Sequence, residues 1–585
     1  GSGSCHGSPR CSLSLNGVST RAGQDHFGVL DSTPAFLSAA ATGRRSFMPA
    51  GTYRVALNSL PSGAYFYGDG PGNTIIKPLS SNVRAAFALN SSSPASFIQD
   101  LTFEDFSLLG SVMDNGFSEQ VHLLTLNGVK GCVIDRVHFV GFRGDGLYIG
   151  SGDVGGMERH NFDIKVRDAL FDGLNNDNRN GVSIIDGDNI LIADSVFQNC
   201  TRPNMPGAID IEPDSAAFHA VKNIKIVKNK FRNVGGNVGV VSLFIPTNVT
   251  PSPLGIKIIG NDFRDAVLTS NHADIFIGTN RVLADSDISS AVTIARNVGR
   301  NGVRGIEVRA VKGVRIYDND FENYKRSGAS FGQSTTGQAP RNVDHFRNRY
   351  ARCATGGGSG VEVFSINHFD HADNMIEECG NGQAGSYAMS YNLGSSTHVK
   401  HSRNCYKSAS GLTLQGIIKE ASHNFDVATN SQIGDVFLND LANNFAAHES
   451  DVTENPWIPV VTGASSSGTG SYSSQVGMFS RVGKQCRGWV MISVNAGHPG
   501  AGQQIQISMP LNLKSQPQLV GGFAVGLEGV TGAGSGAMAM ANTGAVVNGV
   551  TGALRLFANS SGAQVQLIIP TGAFKIWCGF DVQVA

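Results

Sequence analysis

Charge is scarce in this 585-residue chain: Asp, Glu, Lys and Arg are 16% of it, against roughly 25% in ordinary soluble proteins. The two signs nearly cancel, 45 basic residues against 46 acidic ones. A general nucleic-acid binder draws its affinity from a basic field over phosphates, so no nucleic-acid partner is expected. No apolar run approaches the ~20 residues of a spanning helix, and no membrane insertion is expected. The nine cysteines, Cys5, Cys11, Cys132, Cys200, Cys353, Cys379, Cys405, Cys486 and Cys578, include no C-x-x-C pair. An odd number at wide spacing makes neither a zinc site nor a disulfide framework. Buried free thiols are expected instead. The N-terminus lacks the charged and apolar regions of a secretory signal, and Gly1-Ser2-Gly3-Ser4 reads as a cloning scar.

Glycine is plentiful, at 73 residues, and 41% apolar content excludes global disorder. Short β-branched stretches recur, each followed by Asp or Asn and then an aromatic residue, with weaker partners after Asn297 and Asn374. The markers are Asp100, Asp135, Asp168, Asp194, Asn229, Asn261, Asn297, Asn319, Asn348, Asn374 and Asn404, spaced 22 to 36 residues apart. A parallel β-helix explains such a beat. One coil of two or three strands cannot bury its apolar side alone, and stacking buries it. Inward Val, Ile and Leu then repeat at about 4.8 Å, and an Asn at a fixed turn bonds the turns above and below. Leucine-rich repeats are the rival, but L-x-x-L-x-L spacing is absent. The fold class expected is all-β: a right-handed parallel β-helix with an N-terminal cap and a C-terminal jelly-roll-like β-sandwich.

Four regions follow. Residues 1–14 are a tag or disordered. Residues 15–80 cap the helix; there Asp31 or Ser32 can start a short helix with Pro34 in its first turn. Residues 81–450 carry the coils. Residues 456–585 hold eight charged residues in 130, and the 30-residue beat stops there. That composition suits a β-sandwich partly buried against other subunits, for trimerisation or carbohydrate binding.

Segments from three regions, in order, carry a resemblance. Asp31-Ser-Thr-Pro-Ala-Phe36, Pro49-Ala-Gly-Thr-Tyr53 and Gly68-Asp-Gly-Pro-Gly-Asn-Thr-Ile75 resemble the N-terminal cap of bacteriophage tailspikes of the pectate-lyase-like superfamily. Gly207-Ala-Ile-Asp-Ile-Glu-Pro-Asp214 is similar to a segment of their central coils. Trp457-Ile-Pro-Val-Val461 with Ser471-Tyr-Ser-Ser-Gln-Val-Gly477 is similar to their C-terminal sandwich modules. The resemblance implies a homotrimer on the virion tail that binds and degrades a bacterial surface polysaccharide, O-antigen or capsule. It also implies attachment to the tail or baseplate through a head domain that is missing from this sequence.

The candidate chemistry lies in Ile209-Asp-Ile-Glu-Pro-Asp214. With Ile209 and Ile211 inward, Asp210, Glu212 and Asp214 face out. Residues i and i+2 of a strand lie about 6.6 Å apart. Inverting glycosidases hold an acid and a base about 6.5–9.5 Å apart, with a water between. Crowding raises one carboxyl into a proton donor at neutral pH. Asp186 and Asp188 are expected on the preceding coil in the same patch, as tuning and substrate-binding groups. The bland alternative is a solvated acidic face, and a structural calcium is a further option for so many oxygens. No other cofactor or metal is expected. Asn176-Asp-Asn-Arg-Asn-Gly181 begins like an EF-hand loop, but its twelfth position is Gly187, so it reads as an Asn-rich turn.

Glu307, Arg309 and Glu362 are a second choice, placed in the column of Asp210 three and five coils on; a surface ion pair is their bland reading. Tyr148, Phe244 and Phe276 are the aromatic candidates for sugar stacking, with burial under a loop as the alternative. A β-elimination lyase would need a cation and a base, types supplied by Arg304, Arg309, Tyr324, Lys325, Arg326, His368 and His371. A non-catalytic receptor-binding spike is the third reading.

Overall fold

The computed structural model describes residues 27–407, except 152–157, 215–217, 247–254, 267–272, 281–290, 333–336, 381–386 and 393, and beyond these the separate strands between Ile417 and Gln583 and the single residue Asn495. Two compact units emerge, residues 1–424 with 433–443 and residues 425–432 with 444–585.

The first unit is a parallel β-helix. One coil consists of Val182–Ile184, Gly187–Ala193 and Val196–Gln198; the next contains Ile209–Ile211, Lys225–Val227 and Lys230–Arg232. Each strand pairs in parallel with its counterpart one coil on: Ile184 with Ile211, Ile192 with Ile226, Phe197 with Phe231. One face is a 12-stranded sheet running from Phe87–Asn90 to Ile417–Lys419. Inward Ile, Val and Leu of these strands are wholly buried, as with Ile184, Ile211, Leu243, Ile275 and Ile306.

The expected ladder of Asn is present. Asn229, Asn261, Asn297, Asn319, Asn348, Asn374 and Asn404 stack in one buried column. Each side-chain Oδ1 from Asn261 onward accepts from the backbone N–H and the Nδ2 of the Asn one coil before, at 2.8–3.1 Å. Buried turns thereby satisfy backbone donors that no strand ladder reaches. Phe139, Phe171, Phe197, Phe231 and Phe263 stack beside them, with centroids 4.6–5.2 Å apart.

The markers do not share one position, however. Ser195, not Asp194, is the residue bonded to Asn229. Asp168 and Asp194 occupy the preceding residue, with φ of 50° and 52°, which Lys228, Arg296, Asp318, Arg347 and Asp373 also hold in the left-handed region. Asp100 and Asp135 lie elsewhere, opposite Gly131 and Arg167. Short polar side chains tolerate the left-handed turn and also make the ladder, so two columns read as one in the sequence.

At the N-terminal end Thr33–Ala41 is the expected helix. Its capping bond comes from Asp31, whose Oδ1 accepts from the Thr33 N–H at 2.8 Å; Ser32 makes none. Phe36 closes the core against Tyr53, Phe66 and Phe87. Cys132, Cys200, Cys353 and Cys379 are buried free thiols, and Cys405 is half-buried. In the second unit, strands within 461–583 form two antiparallel sheets, of five and four strands.

Candidate functional site

The 12-stranded sheet presents one outward column that runs through most of the candidates. Register places Tyr148, Ser183, Asp210, Ser242, Phe276, Glu307, Ser330 and Glu362 on successive strands. Asp210 therefore precedes Glu307 by three strands and Glu362 by five, the spacing read from the sequence. A groove of about 560 Å³ opens over this column, with Asp210 and Glu212 at one end and Arg304, Glu307 and Arg309 at the other.

Asp210 is 1% exposed, and Glu212 is half-buried. Ser242 Oγ donates to Asp210 Oδ1 at 2.8 Å. The two carboxyls lie close enough for each to shift the other. Burial first, then the charge of Glu212, pushes the Asp210 carboxyl up to about 7, against the pull of Ser242 and Arg179. Burial also raises Glu212; Arg179 draws it down, and Asp214 raises it further. Two facing carboxyls in a dry site cannot both ionise freely, so one proton is shared.

The groups behind this pair were not identified from the sequence. Arg179 Nη1 donates to Asp145 Oδ2 at 2.9 Å, and Asp145 is wholly buried beside His122. Burial would raise Asp145, but Arg179 and His122 outweigh it and hold its carboxyl below the usual range. Asn180 donates from Nδ2 to the main-chain oxygens of Arg179 and Gly207, and its Oδ1 accepts from Ser183 Oγ at 2.9 Å. That side of the amide stands 3.4 Å from Asp210 Oδ2, a contact satisfied when Asp210 carries the proton. Arg179 and Asn180 belong to the Asn-rich turn dismissed as a false calcium loop. Its closeness in sequence to a strand paired with Ile209–Ile211 was the available signal.

Several expected members do not join the patch. Asp186 lies at a corner, where it accepts from His160 Nδ1 at 3.0 Å and the Ala220 N–H at 2.8 Å. Asp188 belongs to the neighbouring face, opposite Phe162, and accepts from Asn223 at 2.7 Å. The chain turns between Ile184 and Gly187, so adjacency in sequence carries these two carboxylates away from Asp210. Asp214 is exposed and its carbonyl bonds His219, but its charge still reaches Glu212. Among the described residues no group of three His, Cys, Asp or Glu is placed to hold a metal ion.

Of the aromatics, Tyr148 stacks on His122 at 4.8 Å, and Phe276 is 7% exposed with the Arg309 guanidinium 5.6 Å from its ring centre. Phe244, half-buried in the groove wall, keeps an open surface. Glu307 is bound by Arg309 Nε at 2.7 Å. Glu362 is buried, and burial raises its carboxyl against the pull of Arg304. Tyr324 is closed in the core, donating to Asp274. His371 is also interior, between His345 and His401. His368 stacks on His398 at 4.1 Å on another face. Lys325 and Arg326 are exposed in a turn.

No protein-family model and no curated protein sequence matches the chain. Solved structures do resemble it. The A-module of a mannuronan C-5 epimerase from Azotobacter vinelandii matches at 15% identity over 71% of this chain and 97% of that one, TM-score 0.47. The Dettilon tailspike protein matches at 12% identity over 97% and 93%, TM-score 0.37. A tailspike from the Acinetobacter baumannii bacteriophage Fri1, a capsular polysaccharide depolymerase, matches at 12% identity over 95% and 83%, TM-score 0.37. No residue role is carried over from likenesses of this size. The register of its own strands makes the chain a parallel β-helix protein, and phage tailspikes and polysaccharide-acting enzymes are among the structures it is similar to.

Proposed function

We propose that this protein is a phage tailspike depolymerase that cleaves a bacterial surface polysaccharide within the chain by hydrolysis. The observation that carries the reading is the Asp210–Glu212 pair, two outward carboxyls side by side at the end of an open groove. In the proposed reaction Asp210 gives its proton to the glycosidic oxygen. Glu212, ionised, takes a proton from the attacking water. The bond from the anomeric carbon to the leaving oxygen breaks as the bond to the water oxygen forms. Asp145 and Arg179 act through position: the Arg179 charge favours the ionised form of both carboxyls, and the Asp145 charge opposes it at Asp210. Support for hydrolysis over β-elimination comes from the burial of Tyr324 and His371, which leaves a lyase without those two bases. Homotrimer assembly and a place on the virion tail, acting at the cell surface, belong to the same proposal and rest on the sequence resemblance.

The test is Glu212→Gln against a panel of purified bacterial surface polysaccharides, with products sized by mass spectrometry. Binding is expected to persist and turnover to fall by at least about a hundredfold. Oxygen-18 from solvent water is expected at the new reducing end. An ultraviolet-absorbing unsaturated uronate would replace this reading with a lyase. Polymer length unchanged by the wild-type protein would replace it with a non-catalytic spike.

A further inference from the structure

The groove is electrically uneven. At the end remote from Asp210, two arginines reach into it from the strand Arg304–Arg309. Arg309 is taken up by Glu307, through bonds from both Nε and Nη2 to one carboxylate oxygen. Arg304 differs. It is half-buried in the groove wall, and among the described residues it has neither an ion pair nor a side-chain hydrogen bond. Glu362 feels its charge without bonding it. A guanidinium carries five donors in a rigid fork suited to carboxylate or phosphate. Leaving that fork half desolvated and unanswered costs free energy, which an anionic ligand recovers.

Position sharpens the point. The strand of Arg304 lies three strands beyond that of Asp210, about 14 Å along the helix axis. Ser242, Phe244 and Phe276 line the interval. A sugar chain lying along the groove with one linkage at Asp210 therefore brings a unit several residues away onto Arg304. Nothing in the proposed reaction uses a cation there, so Arg304 reads sequence in the polymer and does no chemistry.

We propose that Arg304 is the specificity-determining residue of a distal subsite, and that the substrate is an acidic polysaccharide whose carboxylate or phosphate docks on its guanidinium. The inference rests on the depolymerase reading above and adds the class of polymer. Because the Arg304 side chain makes no hydrogen bond or ion pair among the described residues, its replacement is expected to leave the fold intact.

The test uses capsular polysaccharides containing glucuronate, and others containing phosphodiesters. Each is taken intact and after carboxyl reduction to the hydroxymethyl form or removal of phosphate. Binding is measured by calorimetry on Glu212→Gln, with and without Arg304→Gln, and cleavage on the Arg304 variants in the active protein. For one acidic polymer, Arg304→Gln is expected to weaken binding and raise KM about tenfold or more, with kcat held. Arg304→Lys is expected to recover part of the loss, and added salt to narrow the gap. The neutralised form of that polymer is expected to bind both proteins equally weakly. Whether carboxyl reduction or phosphate removal abolishes the difference identifies the anion. Cleavage of neutral polymers with equal KM in both proteins overturns the acidic subsite and leaves the depolymerase reading standing. Absence of binding and cleavage across the whole panel overturns both.

Discussion

Asp210 Oδ1 accepts its hydrogen bond from Ser242, the residue directly opposite on the next strand, at 2.8 Å. That bond favours the ionised carboxyl, yet burial and the neighbouring Glu212 prevail and lift Asp210 to about 7. A bell-shaped dependence of kcat/KM on pH follows. The alkaline limb reports loss of the Asp210 proton, and the acid limb reports protonation of Glu212. Ser242→Ala removes a bond to the charged form, so the alkaline limb is expected to move to higher pH. A profile flat from about pH 5 to about pH 9 would remove Asp210 as proton donor.

The same group links pH to stability. Its folded value lies above the ordinary carboxylate range, so the folded protein keeps a proton that the unfolded chain releases. Its contribution is complete below about pH 4 and is lost as pH rises through about 7. Asp210→Asn is therefore expected to gain melting temperature relative to the wild type as pH rises from about 5 to about 8. A constant difference across that range counts against the raised carboxyl.

Asn319 tests the interior ladder. Its Oδ1 accepts from the Asn297 N–H and Nδ2 at 3.0 and 2.9 Å, and its own Nδ2 reaches Asn348 and the Ile294 carbonyl. Asn319→Ala strands two buried donors on Asn297, and is expected to cost about 3 kcal/mol, read as a lowered denaturant midpoint. Asn319→Ser, with a shorter acceptor, is expected to fall between. A loss below about 0.5 kcal/mol would mean that the ladder satisfies donors without stabilising the helix.

The legible and illegible parts of the site divide along a physical line. Strand alternation fixed which side Asp210 and Glu212 face, and the alignment of strands from coil to coil fixed the column of Glu307 and Glu362, because stacked strands must keep their inward Ile and Val aligned. Corners obey no such rule. The turn at Ile185–Asp186 sends Asp188 to another face, and the turn at Asn176–Gly181 brings Arg179 toward Asp210; neither departure has a period. Side-chain convergence was hidden as well. Cα spacing along a strand does not show that His122 covers Tyr148. The interior place of His371 was hidden because its partners, His345 and His401, lie 26 and 30 residues away on adjacent coils.

That histidine column carries the last prediction. His345, His371 and His401 stack through the core with ring centres 4.9 and 5.0 Å apart. His345 Nδ1 meets His371 Nδ1 at 2.8 Å, and His345 Nε2 meets the Tyr350 hydroxyl at 2.6 Å. A hydrogen bond between two Nδ1 atoms needs one protonated and one bare nitrogen, so the pair is built for neutral rings. Burial, followed by the charge of His401, lowers His345 to about 3, and burial with both neighbours lowers His371 as well. The unfolded chain binds these protons near pH 6.5 and the folded one does not. Their stabilisation is therefore full above that value and is lost as pH falls toward the folded value, on the order of 3 kcal/mol for His345 by pH 4. His371→Phe keeps a flat apolar ring in the stack and removes one titrating group. It is expected to lose less stability than the wild type between about pH 7 and about pH 4, measured by denaturant unfolding at each pH. Equal acid sensitivity in the two proteins would place the acid-labile groups outside this column.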